Sequence, residues 1–359
     1  MARHAEAGPD PAAKGSQRLQ RAWLSRGPWA WTLLPIAALF AALVACRRAL
    51  YAAGWLHAQC LSVPVVVVGN LIVGGAGKTP TVMAVVSALR RHGFTPGVIS
   101  RGYGRDRHAV VDVERSTPVA ACGDEPLLMR IRLDAPVVVA RDRVAAARSL
   151  LRRHPGVDVI VSDDGLQHLR LARDAQVLVF DERGIGNGWL LPAGPLREPM
   201  PPTAPPRSIV LYNAAQASTN LPGHLAHRAL KGVVPLGDWW AGRTASMAAL
   251  DALATRRVVA AAGMAQPARF FDMLRDAGLD IDALPLPDHH AFSTLPWPAD
   301  THDVVVTEKD AVKLDPARLA ATQAWVAPLD FHIDAAFEAA LLELLPQPPT
   351  RTPDGHPIA

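Results

Sequence analysis

Four consecutive valines and a glycine, Val65 to Gly69, run straight into a glycine-rich turn ending in Gly77, Lys78 and Thr79, and no other stretch narrows the possible folds as far. An unbroken β-branched run suits a strand buried on both faces of a parallel sheet. From Thr81 to Arg90 the pattern turns helical. In the order strand, glycine loop, Lys-Thr, helix, backbone N–H groups can turn inward around a phosphate, and the helix N-terminus adds its positive dipole end. We therefore assign Ile72, Val73, Gly74, Gly75, Ala76, Gly77, Lys78 and Thr79 to a nucleotide-binding loop for ATP. Lys78 is expected to reach the β- and γ-phosphates and the Thr79 hydroxyl to ligate Mg²⁺. Ile72 stands where the usual pattern has a further glycine. Val73 stands where partitioning-type ATPases carry an extra lysine, which argues against that class. The competing reading, a glycine-rich helix start without a ligand, sits poorly with Gly-Lys-Thr directly after a buried strand.

Charged residues end several other buried runs. VDVIVSDDGLQH, Val157 to His168, reads as a strand closing on Asp163 and Asp164, and ligands gather at the carboxyl ends of strands in open α/β sheets. One of the two acids is expected to serve a metal and the other the local turn. CGDEP places Asp124 and Glu125 on a tight turn before a helix, where helix capping is the plainer alternative. The proline-bounded LPAGPLREP carries Arg197 and Glu198. LPDHHAF presents Asp288, His289 and His290, and no cysteine spacing supports zinc there, so an Asp–His proton-handling role fits better. Thr307, Lys309 and Asp310 follow another buried run and are candidates for nucleotide or hinge contacts. Arg101, Arg141, Gln167 and His168 are substrate candidates, because basic and amide groups suit a sugar phosphate.

At the other extreme is Gly27 to Cys46, which contains no charge. Arg26 precedes this run and Arg47 and Arg48 follow it. At about 1.5 Å per residue it is just long enough to cross a bilayer core. Pro35 interrupts it and basic residues flank both ends, so an interfacial helix, with Trp29 and Trp31 at headgroup level, is preferred over a true span, a cleaved signal or a buried core helix. The chain is 359 residues long, with a formal charge of +4. That length implies about two domains, and so small a charge excess does not call for nucleic acid. Three cysteines without CxxC spacing argue against a disulfide framework.

Taken together, VVVVGNLIVGGAGKTP, VISRGYGR, CGDEP, ARDR, VDVIVSDDGLQH, LLPAGPLREP, AAGMAQPARFFDML, LPDHHAF and VVTEKDAVKL resemble, in order, the lipid A 4'-kinase family over residues 48–330. The resemblance implies an enzyme of the bacterial inner membrane, on its cytoplasmic face. It would transfer the γ-phosphate of ATP to the 4'-hydroxyl of a tetraacylated glucosamine disaccharide 1-phosphate. It also implies that Asp124 is the catalytic base, that His289 is its partner, that Lys78 and Thr79 serve the phosphates and Mg²⁺, and that Asp163 and Glu198 belong to the metal's surroundings. Spacing alone does not choose between Asp124 and Asp163 as the base.

The expected architecture is an α/β, P-loop NTPase-like fold. A mostly parallel sheet with helices on both faces occupies residues 61–230, and a smaller α/β lobe occupies 231–345. A polar tail (1–26) and a membrane-associated helical segment (27–60) precede them, and a disordered tail (346–359) follows. ATP would lie between the lobes, and closure would bring His289 to Asp124. A monomer is expected. Two rivals remain: a kinase for a soluble metabolite, which needs no membrane address, and an NTPase switch, which would want an Asn-Lys-x-Asp loop that the sequence lacks.

Overall fold

The computed structural model describes residues 23–105 and 109–348. The basic residues Arg3, Lys14, Arg18 and Arg21, and most of the expected C-terminal tail, lie outside the described residues.

Strands β1 (Val65–Gly69), β2 (Pro96–Ser100), β3 (Val111–Asp112), β4 (Val137–Val139), β5 (Val159–Asp163), β6 (Ala175–Asp181), β7 (Ser208–Asn213) and β8 (His224–Leu225) form one sheet in the order β3-β4-β2-β5-β1-β6-β7-β8. Only the β3–β4 pairing is antiparallel. Because side chains alternate across a strand, Val66 and Val68 enter one core while Val65 and Val67 enter the other. Helices α2 (Lys78–Arg91) and α3 (Asp124–Leu133) fill the first face, and α4 (Arg143–Arg153) covers the second. This is why the strands read as continuous apolar runs: both faces are dry.

A second sheet has the order β10-β14-β13-β11-β12. Its strands are β10 (Val234–Pro235), β11 (Val258–Ala262), β12 (Ile281–Pro285), β13 (Asp303–Thr307) and β14 (Gln323–Ala327). Helix α5 (Pro267–Asp276) packs on it, and the short α6 (Glu308–Ala311) follows β13. The chain passes between the sheets along an antiparallel ribbon, β9 (His227–Leu230) with β15 (Leu329–His332). Helix α7 (Ala335–Glu343) then returns to the first sheet. Phe337 enters that core, and Glu338 pairs with Arg91 at 2.5 Å. The core on the α2–α3 face runs on into the second sheet through Val304, Val306 and Val326, so the lobes share buried apolar surface. Arg132 of α3 also pairs with Glu308 of α6, which accepts from Trp239 Nε1 at 3.0 Å.

Ahead of both sheets stands α1 (Leu34–Ala52), whose only buried residue is Ala37. It is long and apolar enough, by length and composition, to cross a membrane. Pro35 does not interrupt it: the proline lies in the first turn, where its missing N–H would be unpaired anyway. The helix also continues beyond Arg47 and Arg48 instead of ending there. With Ile36, Leu39 and Leu43 exposed, it is not a buried core helix. The segment before it is anchored to the first lobe, where Trp23 Nε1 donates to Pro192 O at 2.9 Å and the Arg26 guanidinium lies 5.2 Å over the Trp189 ring.

Candidate active site

The turn after β1 is held by its neighbours on every side. Gly77 caps α2 with φ +86°, and a Cβ there would lie 1.9 Å from Asn213 Nδ2, so only glycine fits. That Asn213 amide donates to Ala76 O at 3.0 Å. Gly74 likewise adopts φ +99°. Arg183, itself held by the fully buried Asp181, donates to Val73 O and Gly75 O, each at 3.3 Å. Lys78 Nζ donates to Asn70 Oδ1 at 3.2 Å and lies 3.7 Å from Asp164. Thr79 sits in the first turn of α2, beside Lys78. Two of the residues expected in the nucleotide loop are held from below. Ile72 is buried in the core and bridged to Leu196, and the Val73 N–H already donates to Pro195 O at 2.9 Å.

At the end of β5 the two acids diverge. Asp164 is in the left-handed region at φ +46° and pairs with Arg197 at 3.0 Å. Burial pushes its carboxyl up, but Lys78 and Arg197 outweigh this and hold it below the usual range. Asp163 is nearly inaccessible. Its Oδ2 accepts from Ser100 Oγ at 2.8 Å, while its buried Oδ1 has no partner among the described residues. Burial, then the neighbouring charges of Glu125 and Asp164, push this carboxyl up to about 7. A buried carboxylate oxygen left unpaired beside a phosphate loop is the observation that fits a divalent cation. No group of three or more His, Cys, Asp or Glu gathers as a metal site among the described residues. Mg²⁺ is usually held by one or two carboxylates with waters and substrate phosphates.

Glu198 is occupied differently from expectation. Its Oε2 takes the Arg48 guanidinium of α1 at 2.6 Å, and its Oε1 accepts from Gln167 Nε2 at 3.0 Å. Gln167 also accepts from Arg197 at 3.2 Å and donates to Asn70 O at 3.3 Å. A polar chain thus runs from α1 to the loop lysine: Arg48, Glu198, Gln167, Arg197, Asp164, Lys78. Arg101 and Arg141 are exposed directly after β2 and β4, at the sheet's carboxyl edge. His168 is half-buried, 3.6 Å from Asp142, and burial with nearby Arg143 lowers its affinity for a proton. Sequence reasoning missed Arg143, which is buried and donates to the backbone oxygens of Asp163 (3.3 Å) and Asp164 (3.2 Å). It also missed Arg183. The signal for both was an arginine within two residues of an aspartate, Asp142 at a helix N-cap and Asp181 at the end of β6.

From the second lobe, the DHH segment reaches Asp124. His289 Nδ1 lies 2.9 Å from Asp124 Oδ2. Asp124 opens α3 and is only 4% exposed, and its Oδ1 accepts from Glu125 N at 2.9 Å. Gly123, at φ +93°, makes the approach possible, since a Cβ there would meet Tyr103 O at 2.9 Å. His289 itself adopts φ +59°. Burial pushes the Asp124 carboxyl up, but the hydrogen bond from His289 and the charges of Lys309, His289 and Lys313 hold it below the usual range. The same hydrogen bond raises the proton affinity of His289. The lobes already meet here, without the closing motion expected from the sequence. Lys309 ties them, 3.2 Å from Glu125 and 3.0 Å from Asp288. Glu125 adds its charge to the surroundings of both Asp163 and Lys309.

Three comparisons bear on this geometry. Residues 29–346 match the family model LpxK, tetraacyldisaccharide-1-P 4'-kinase. The tetraacyldisaccharide 4'-kinase of Methylibium petroleiphilum is 57% identical over 93% of this chain and 95% of its own length. That of Leptothrix cholodnii is 54% identical over 94% of this chain and 97% of its own length. The crystal structure of the apo form of LpxK from Aquifex aeolicus in complex with ATP superposes with a TM-score of 0.73 at 25% identity, covering 89% of this chain and all of that one. With the family model matched from the apolar N-terminal helix through α7, the chain belongs to the tetraacyldisaccharide-1-P 4'-kinase family.

Proposed function

We propose that Asp124 and His289 form the proton-accepting pair of this kinase and that the loop from Gly74 to Thr79 holds the phosphates of ATP. The reaction is the family's: the γ-phosphate of ATP passes to the 4'-hydroxyl of a tetraacylated disaccharide 1-phosphate. In a direct in-line transfer the sugar oxygen bonds to the γ-phosphorus, the bond to the β–γ bridging oxygen breaks, ADP leaves, and the hydroxyl proton goes to Asp124. The observation that carries this reading is the 2.9 Å contact between a buried carboxylate of one lobe and a histidine of the other. His289 holds one Asp124 oxygen, fixing the carboxylate's orientation and delocalising the proton it receives. Lys78 spreads the charge that develops on the transferring group, and Gly74 through Gly77 leave room for the phosphates against the backbone. Thr79 and the unpaired Asp163 oxygen would hold Mg²⁺, which neutralises phosphate charge. Glu198 supports the loop through Gln167 and Arg197 instead.

Membrane placement supports the same reading. A lipid-linked acceptor calls for an enzyme at the bilayer surface, and α1 offers Ile36, Leu39 and Leu43, with Trp29 and Trp31, as exposed apolar surface. We place the chain on the cytoplasmic face of the inner membrane, where ATP is available, as a monomer.

The test is transfer of labelled γ-phosphate from ATP to a detergent-dispersed tetraacylated disaccharide 1-phosphate, with Lys78→Ala as the blank. Labelled lipid with the wild-type chain alone supports the reading. ATP binding without labelled lipid would sink it.

A further inference from the structure

Behind the Asp–His pair lies a buried charged group that the mechanism so far does not use. Lys313 follows α6, and its side chain is 5% exposed. Its ammonium is 3.0 Å from Asp310 Oδ1, 3.7 Å from Asp124 Oδ2 and 5.2 Å over the Phe292 ring. Asp310 is fully buried and held from three sides: its Oδ2 accepts from Gly263 N at 3.0 Å and from Thr307 Oγ1 at 2.7 Å, and its Oδ1 takes Lys313. A lysine this buried persists only when paired. Here it is shared between a carboxylate of its own lobe and the carboxylate of the other lobe that faces the cleft.

We propose that Lys313 is a positioning residue for the phosphoryl transfer, holding the Asp124 carboxylate ionised and turned toward His289, with Asp310 as the counter-charge that sets how strongly Asp124 feels it. This rests on the assignment of Asp124 and His289 as the proton-accepting pair. The charged and titratable groups around Asp124 are His289, Asp288 and His290 on the histidine loop, Lys309, Asp310 and Lys313 after β13, Glu125 and Cys122 on its own turn, and Arg105 facing Cys122. Lys309 lies between Glu125 and Asp288 and is divided between them. Lys313 is a cation directly on Asp124 whose other carboxylate partner, Asp310, lies outside the pair. A positive charge 3.7 Å away disfavours proton uptake by the pair as a whole, whichever member carries the proton, so removing it must make the pair easier to protonate.

The experiment is the pH dependence of kcat/KM for the lipid, at saturating ATP, in the full-length enzyme. Lys313→Met should move the acidic limb upward by about one pH unit, and Lys313→Arg should leave it near the wild-type position even if kcat falls. Asp310→Asn should move the limb the other way, because it frees Lys313's charge for Asp124. A merely structural role lowers rates at every pH and does not produce shifts of opposite sign. An unmoved limb in Lys313→Met, or in Asp310→Asn should the Met variant fail a thermal-melt check, overturns the proposal. Asp124→Asn is run alongside: wild-type turnover there would remove the base assignment itself, and the role of Lys313 with it.

Discussion

Asp124→Asn is the narrowest probe at the scale of single residues, because the amide keeps the shape and can still accept from Glu125 N. We expect kcat to fall by about 10²–10⁴, the usual worth of a positioned base, while the KM for ATP hardly changes. A matching loss of ATP affinity would argue that Asp124 shapes the nucleotide site instead. His289 gives a pH-dependent stability signature. Its folded proton affinity is raised, chiefly by the Asp124 hydrogen bond. The resulting stabilisation is fully present below the unfolded value of about 6.5 and fades as pH rises through the higher folded value. His289→Asn should therefore lie furthest below the wild-type Tm in mildly acidic buffer and approach it in alkaline buffer. A Tm difference that is constant with pH would contradict the linkage. Gly77→Ala is expected to abolish transfer and lower the Tm, since the new methyl group meets the Asn213 amide and the backbone stays at φ +86°.

Between elements, the informative contact is the one joining α1 to the nucleotide loop. Arg48 is more than half exposed, and a pair of this kind contributes only about 0–1 kcal/mol to stability. Its value lies in where it leads: Glu198, Gln167, Arg197 and Asp164 pass the geometry on to Lys78. Arg48→Glu should cut kcat several-fold with little change in Tm, and the swap Arg48→Glu with Glu198→Arg should recover part of the loss. If the double variant is no better than the product of the two singles, the pair is not coupled to catalysis.

For the whole molecule, the shared core between the sheets and the Lys309 bridge hold both lobes around the cleft, while α1 stands apart with its apolar side chains exposed. Replacing Leu39 and Leu43 with aspartate should reduce co-sedimentation with anionic vesicles, yet preserve transfer to a detergent-dispersed acceptor. Unchanged co-sedimentation would move the main anchor elsewhere.

How much of this was legible in advance follows from range. The valine run of β1, the Gly77-Lys78-Thr79 turn and the buried strands ending in acid are local signals, and a strand buried on both faces needs no partner to be recognised in sequence. β4, β6, β7 and β13 are buried runs of the same kind. By contrast β12, with Asp282 among its exposed positions, and the β9–β15 ribbon carry no such pattern, because edge strands and connections keep polar faces. The glycine loop after β1 and the α/β class were legible locally, and the family resemblance implied that Asp124 meets His289. It took the folded chain to leave Asp163 with an unpaired oxygen while Asp164 pairs with Arg197, to give Glu198 to Arg48, and to set Lys313 against Asp124. Each of these depends on contacts between residues distant in the chain, where burial and the sign of the nearest charge decide what a carboxylate does, and neither can be read from its neighbours in sequence.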